Sequence, residues 1–169
     1  MERYKEVDLA YIAGLVDGEG YVGIKKEKTD YISPYYHANL QVAMTNEDAV
    51  KFMAQTLGAK VYVRRRWNGK TLYICQLSCG KAVRALKLLL PYLRVKKCNT
   101  EIILKLRESM EKLVNRGQKG LRGSLPLPQE ILDEREECFR LIKTLNKRRE
   151  VEGEKNGKTQ NLHIFKVYD

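Results

Sequence analysis

The sequence has no C-x-x-C pair among its 4 cysteines, Cys75, Cys79, Cys98 and Cys138, and its 2 histidines, His37 and His163, stand far apart. That scatter speaks against a zinc site. It also offers no disulfide framework, so the thiols are expected to be reduced, partly buried residues of an intracellular, soluble protein. Long apolar runs are missing as well. The most apolar stretch, Ala85 to Leu93, is interrupted by Lys87 and Pro91 and is too short to cross a bilayer. The N-terminus is charged and unlike a signal peptide. Neither a membrane nor a small-molecule substrate is expected as a partner. Acid is scarce against base, with 21 Asp plus Glu facing 32 Lys plus Arg for a formal charge of +11. This points to a polyanionic partner, nucleic acid foremost.

What the chain does have is enough for a core. Its 169 residues, 43% of them hydrophobic, predict one domain over 1–150 and a polar tail over 151–169 in which Leu162 to Tyr168 can add a strand. Asp8 is the expected N-cap of a first helix, with Leu9, Ile12, Leu15 and Val16 on one side of a 3.6-residue period. The pattern then switches to period two. Val22 and Ile24 alternate with Tyr21, Gly23 and Lys25. In the next strand Ala38, Leu40, Val42 and Met44 oppose His37, Asn39, Gln41 and Ala43. Thr45 to Asp48 starts a short helix that stops at Gly58. A second strand pair follows, joined by Asn68-Gly69, a strong tight-hairpin signal. That turn predicts Thr71 and Tyr73 on the face carrying Tyr62, Arg64 and Arg66. Helices from Gly80 to Pro91, Asn99 to Asn115 and Gln129 to Arg149 complete the chain, the last two separated by a Gly/Pro-rich linker over Gly117 to Pro128. In Asn99 to Asn115 the inward positions are Ile102, Ile103, Leu106, Met110, Leu113 and Val114. The expected fold is α+β, αββαββα, with an antiparallel sheet, helices on one face and further helices at the C-terminal end.

The first helix carries the most information. Opposite its apolar stripe, Ala10, Gly14 and Gly18 recur every four residues with Ala13 beside them, so a second helix can approach its backbone closely. Gly14 inside a helix costs about 1 kcal/mol against alanine, which calls for a packing reason. The helix is expected to end at Gly18, with Glu19 in the turn between Gly18 and Gly20, where a carboxylate is placed to hold a metal ion. The segment Leu9 to Gly20, ending Leu15-Val16-Asp17-Gly18-Glu19-Gly20, resembles the signature helix of the LAGLIDADG homing endonucleases. Only one copy is present, so the resemblance is to the single-motif type, which implies a homodimer with Ala10, Ala13, Gly14, Asp17 and Gly18 at the interface. It implies a metal site shared at the paired helix ends, with Glu19 as ligand and the Gly18 carbonyl beside it, and Asp17 stabilising the helix end. Mg²⁺ suits such sparse protein ligation because it keeps waters and takes phosphate oxygens. Mn²⁺ is expected to replace it, and Ca²⁺ to bind without supporting cleavage.

The resemblance extends to Pro91-Tyr92-Leu93-Arg94-Val95-Lys96-Lys97, similar to the family segment bearing an active-site lysine, which Lys96 matches. Asn46 falls where the family has a polar, water-organising residue. The basic residue expected one turn later aligns with Val50, so either Lys51 substitutes for it or the role is absent. By the same resemblance the antiparallel sheet forms a DNA-binding saddle, and the implied activity is cleavage of both strands of a long, nearly palindromic double-stranded DNA site across the minor groove, leaving 3′ overhangs. The polar strand face is suited to reading that site, since Asn and Gln pair with adenine, Arg with guanine, and a β-ribbon fits the major groove. Its candidates are Tyr21, Lys25, Glu27, His37, Asn39, Gln41, Tyr62, Arg64, Arg66, Thr71 and Tyr73. Lys26, Lys28, Lys70, Lys81, Lys119 and Arg122 are candidate phosphate contacts. The alternative is a non-cleaving nucleic-acid-binding protein on the same fold, an intron maturase or a transcription regulator.

Overall fold

The computed structural model of the chain describes residues 4–27, 33–67, 69–114 and 127–156, the side chains of 113–114 and 148–156 excepted. Lys28, Asn68, Lys119, Arg122, the 117–126 part of the expected linker, the inward Leu113 and Val114 side chains and the tail strand over 162–168 lie outside the described residues.

The helix α1 spans Glu6–Glu19, and Lys5 rather than Asp8 precedes it as N-cap, without a side-chain hydrogen bond. Asp8 instead lies in the first turn, where its charge suits the positive end of the helix dipole. The helix runs on through Gly18 and Glu19, so Glu19 is its last residue and not a turn residue beyond it. Gly20 caps it in an extended conformation and leads directly into β1, Gly20–Glu27. A Cβ at Gly20 would lie 2.5 Å from the Val16 carbonyl oxygen, which is why the direct passage requires glycine there.

The strand β2, Tyr35–Met44, leads to α2, Glu47–Leu57. Asn46 caps α2 by accepting a 3.0 Å hydrogen bond from the Ala49 N–H. Gly58 closes it in the left-handed conformation at φ 66°. The strands β3, Val61–Arg65, and β4, Thr71–Ser78, precede α3 (Cys79–Leu89), α4 (Lys97–Val114) and α5 (Gln129–Asn156). The last helix extends past the expected Arg149.

All four strands form one antiparallel sheet in the order β1-β2-β4-β3. Its helix-covered face buries Val22, Leu40, Val42, Cys75 and Leu77 against Ile12, Ala13, Val16, Met53 and Leu86. Leu15, expected in the apolar stripe of α1, is half-buried, and Ala13 takes the fully buried place.

One register differs from expectation. An Asn68-Gly69 two-residue turn would set Arg66 opposite Thr71, but Arg65 is the residue opposite Thr71. The Arg66 N–H bonds to the Lys70 carbonyl at 2.9 Å, closing a three-residue loop with Gly69 at φ 77°. A one-residue slip turns each side chain to the opposite face. Tyr73 therefore lies opposite Val63 and Met44 on the helix-covered face, and Thr71 lies on that face with Arg65. Their assignment to the Arg64 face is corrected. Leu72, Ile74, Gln76 and Ser78 take those places.

Candidate functional site

The end of α1 and the connector after α3 form one unit. The Asp17 carboxylate accepts hydrogen bonds from the backbone N–H groups of Arg94 at 2.7 Å and Lys96 at 2.8 Å. Lys96 in turn donates from Nζ to the Asp17 carbonyl oxygen at 3.0 Å, and the residue is buried. Burial alone would raise the Asp17 pKa, but the N–H groups of Arg94, Lys96 and Val95 and the Lys96 ammonium outweigh it and hold it below the ordinary value. Asp17 thus anchors the segment that carries Lys96, and the ammonium is fixed on the last turn of the helix that ends in Glu19. Glu19 itself is exposed.

The outer side of α1 is open. Val7, Ala10, Tyr11, Gly14 and Gly18 are exposed, and a Cβ at Gly14 or Gly18 would meet nothing within 4 Å. Ala13 is not part of this surface. It is fully buried in the core of the chain itself, so its place at an interface is corrected. Asn46 has its carboxamide oxygen engaged as the α2 cap, Val50 is fully buried, and Lys51 is paired with Glu47 at 2.7 Å. Among the described residues no three His, Cys, Asp or Glu side chains converge on a metal site.

The other face of the sheet carries Tyr21, Lys25, Glu27, Gln41, Tyr62 and Arg64, which are exposed or partly exposed, with exposed Arg66 following at the hairpin. Two candidates behave differently. Asn39 is only 1% exposed, and its Oδ1 accepts a 2.9 Å hydrogen bond from Gln76 Nε2. It is corrected from a reading residue to one that orients Gln76. His37 is also buried, because β4 ends at Ser78 and the adjoining part of β2 is closed instead by Val83 of α3 and Ile103 and Leu106 of α4. Burial lowers the His37 pKa, with Lys25 adding to the fall and Glu27, 3.6 Å from Nε2, opposing it. Its Nδ1 has no hydrogen-bond partner among the described residues. Lys26 is likewise removed from the phosphate contacts, since it is bound to Glu136 at 2.7 Å and lies over the Tyr36 and Phe139 rings.

Gln76 lies on this outward face beside Gln41, a position that the sequence leaves open because Cys75, Gln76 and Leu77 do not alternate clearly, and that the hairpin loop, one residue longer than Asn68-Gly69 implies, decides. No signal in the local sequence specifies that extra residue.

A small-residue helix that ends in an acid thus passes straight into an antiparallel sheet with one polar face. The sequence profile of the LAGLIDADG-like domain matches residues 6–111, and the chain belongs to that family, with a single copy of the motif. Solved structures agree on the fold. The chain is similar to the homing endonuclease I-CvuI in complex with the I-CreI target in the presence of Mg, at a TM-score of 0.55 and 20% identity, over 82% of this chain and 96% of that one. It is similar to the group I intron-encoded I-CeuI complexed with DNA, at 0.54 and 10%, over 78% and 67%. For the archaeal intron-encoded I-Vdi141I complexed with DNA the values are 0.51 and 16%, over 85% and 99%. A comparison with curated protein sequences gave no match.

Proposed function

We propose that the protein is a homodimeric, divalent-metal-dependent endonuclease that cuts both strands of a long, pseudo-palindromic duplex DNA site. The observation that carries this reading is the state of α1. It is apolar on both sides, yet its Val7-Ala10-Tyr11-Gly14-Gly18 side is open in the single chain. An apolar surface of that kind calls for a partner, and a second copy of the helix would bring a second Glu19 beside the first. An isologous interface of this sort doubles a half-site.

One carboxylate and a nearby carbonyl fit a hard cation that retains waters, so Glu19 and the Gly18 carbonyl would hold Mg²⁺. Bound there, the cation supplies charge neutralisation at the phosphate and activation of water. The chain's own residues do the rest. Asp17 positions Lys96, and the Lys96 ammonium would stabilise charge at the scissile phosphate. Tyr21, Gln41, Gln76, Tyr62 and Arg64 would meet base edges, with Asn39 setting the orientation of the Gln76 amide. Asn46 would present its free NH₂ at the start of α2.

Replacing Glu19 with Gln tests the reading on duplexes selected by the protein from a randomised library. The variant should bind as the native protein does and lose Mg²⁺-dependent cutting by at least a hundredfold. Undiminished cutting would overturn the assignment of Glu19, and selection of sites without any cleavage by the native protein would favour the non-cleaving alternative.

A further inference from the structure

Trp67 is the only tryptophan of the chain, and it is 99% exposed. It opens the three-residue loop that the Arg66–Lys70 backbone bond closes. An indole in this position gains nothing from its own fold. The β3 strand leading to it is an edge strand, and Tyr62 and Val63 are 55% and 63% exposed although they lie on opposite faces. The outer end of the hairpin, from Tyr62 to Trp67, therefore stands clear of the helix layer.

Its charge selects the occupant. From residue 49 to residue 100 the sequence contains no Asp or Glu, and the loop is flanked by Arg64, Arg65, Arg66 and Lys70. A second copy of so basic a hairpin would be repelled, whereas a polyanion would be drawn to it. The flat indole adds what a polyanion with stacked bases can use.

We propose that Trp67 packs its indole into a base step of bound duplex DNA at the outer part of the site, making the β3–β4 hairpin a reader of duplex deformability. The proposal rests on the endonuclease reading above. Insertion is cheapest at pyrimidine–purine steps, which unstack easily. Such a contact would select sequence at a position where no hydrogen bond is made.

Because Trp67 is the sole tryptophan, its emission reports on this contact alone. The native protein is titrated in EDTA with end-labelled duplexes recovered by selection from a randomised library, with label anisotropy recording binding and tryptophan emission recording the indole. Saturation should quench the emission and shield it from acrylamide. Trp67→Ala should weaken binding by about tenfold without changing its salt slope, since an uncharged side chain displaces no counterion. Trp67→Phe should recover part of the loss. Saturated binding with unchanged emission and acrylamide access would overturn the proposal and leave the endonuclease reading standing. Failure to bind any duplex would overturn both.

Discussion

The two hairpins of the sheet share an antiparallel geometry and differ in almost everything that surrounds them. The β1–β2 hairpin is fastened from outside. The Val22 carbonyl accepts from the side-chain amides of both Asn99 and Asn146, at 3.3 and 3.4 Å, and the two amides are joined at 2.9 Å. Glu136 of α5 accepts from Lys26 and from the Tyr36 hydroxyl. Tyr36 is itself 2% exposed. By contrast, every residue of β3 after Val61 is exposed. The β1–β2 hairpin is scaffold, whereas β3 is an exposed arm along β4, which is itself part of the core through Cys75 and Leu77. Strand propensity is similar in both, so the difference arises from which helices cover them.

Two losses in decreasing order, Leu40→Ala and Asn99→Ala, and one near-neutral control, Val63→Ala, test this contrast. Leu40→Ala, at a fully buried position of β2, should cost about 2–5 kcal/mol in chemical denaturation. Val63→Ala, in β3 and largely exposed, should change stability by no more than about 0.5 kcal/mol. Equal losses at the two sites would show that the arm is packed in solution. Asn99→Ala removes a fully buried amide from the Val22 anchor and should cost about 1–3 kcal/mol. Amide hydrogen exchange should quicken in β1 and the adjoining part of α5 while remaining unchanged in β3.

The smallest of the losses concerns His37. Its folded pKa lies below the ordinary 6.5, so folding favours the neutral ring. That contribution is complete above about pH 6.5 and is lost as pH falls from there through the lower folded value. Melting temperature should therefore drop between pH 7 and pH 5, and His37→Gln should flatten that part of the profile. An unaltered slope in the variant would place the acid sensitivity elsewhere.

Much of the fold was legible because it is encoded by short-range rules. The alternation of Ala38, Leu40 and Val42 marks a half-buried strand, and Asn46 and Gly58 bound α2 through cap geometry that each residue supplies locally. The position of Glu19 at the end of a small-residue helix, and the single copy of that motif, follow from spacing alone. These features depend on residues within one or two turns of each other.

Other features depend on long-range packing. The side of the sheet taken by Tyr73 and Gln76 turns on one residue in a loop whose dipeptide is compatible with either register. Asn39 and His37 read as solvent-facing partners of Gln41, yet neighbouring elements bury both. Ala13 looks interchangeable with Ala10 in the helix period, and only the core behind it separates them. The Asp17 clamp joins residues 77 and 79 positions apart. Sequence by itself thus determined the motif, the caps and the strand alternation, since these are set by local backbone and side-chain preferences. Tertiary structure alone decided the hairpin register, the burial of the polar face and the seat of Lys96, because each is settled by contacts between segments distant in the chain.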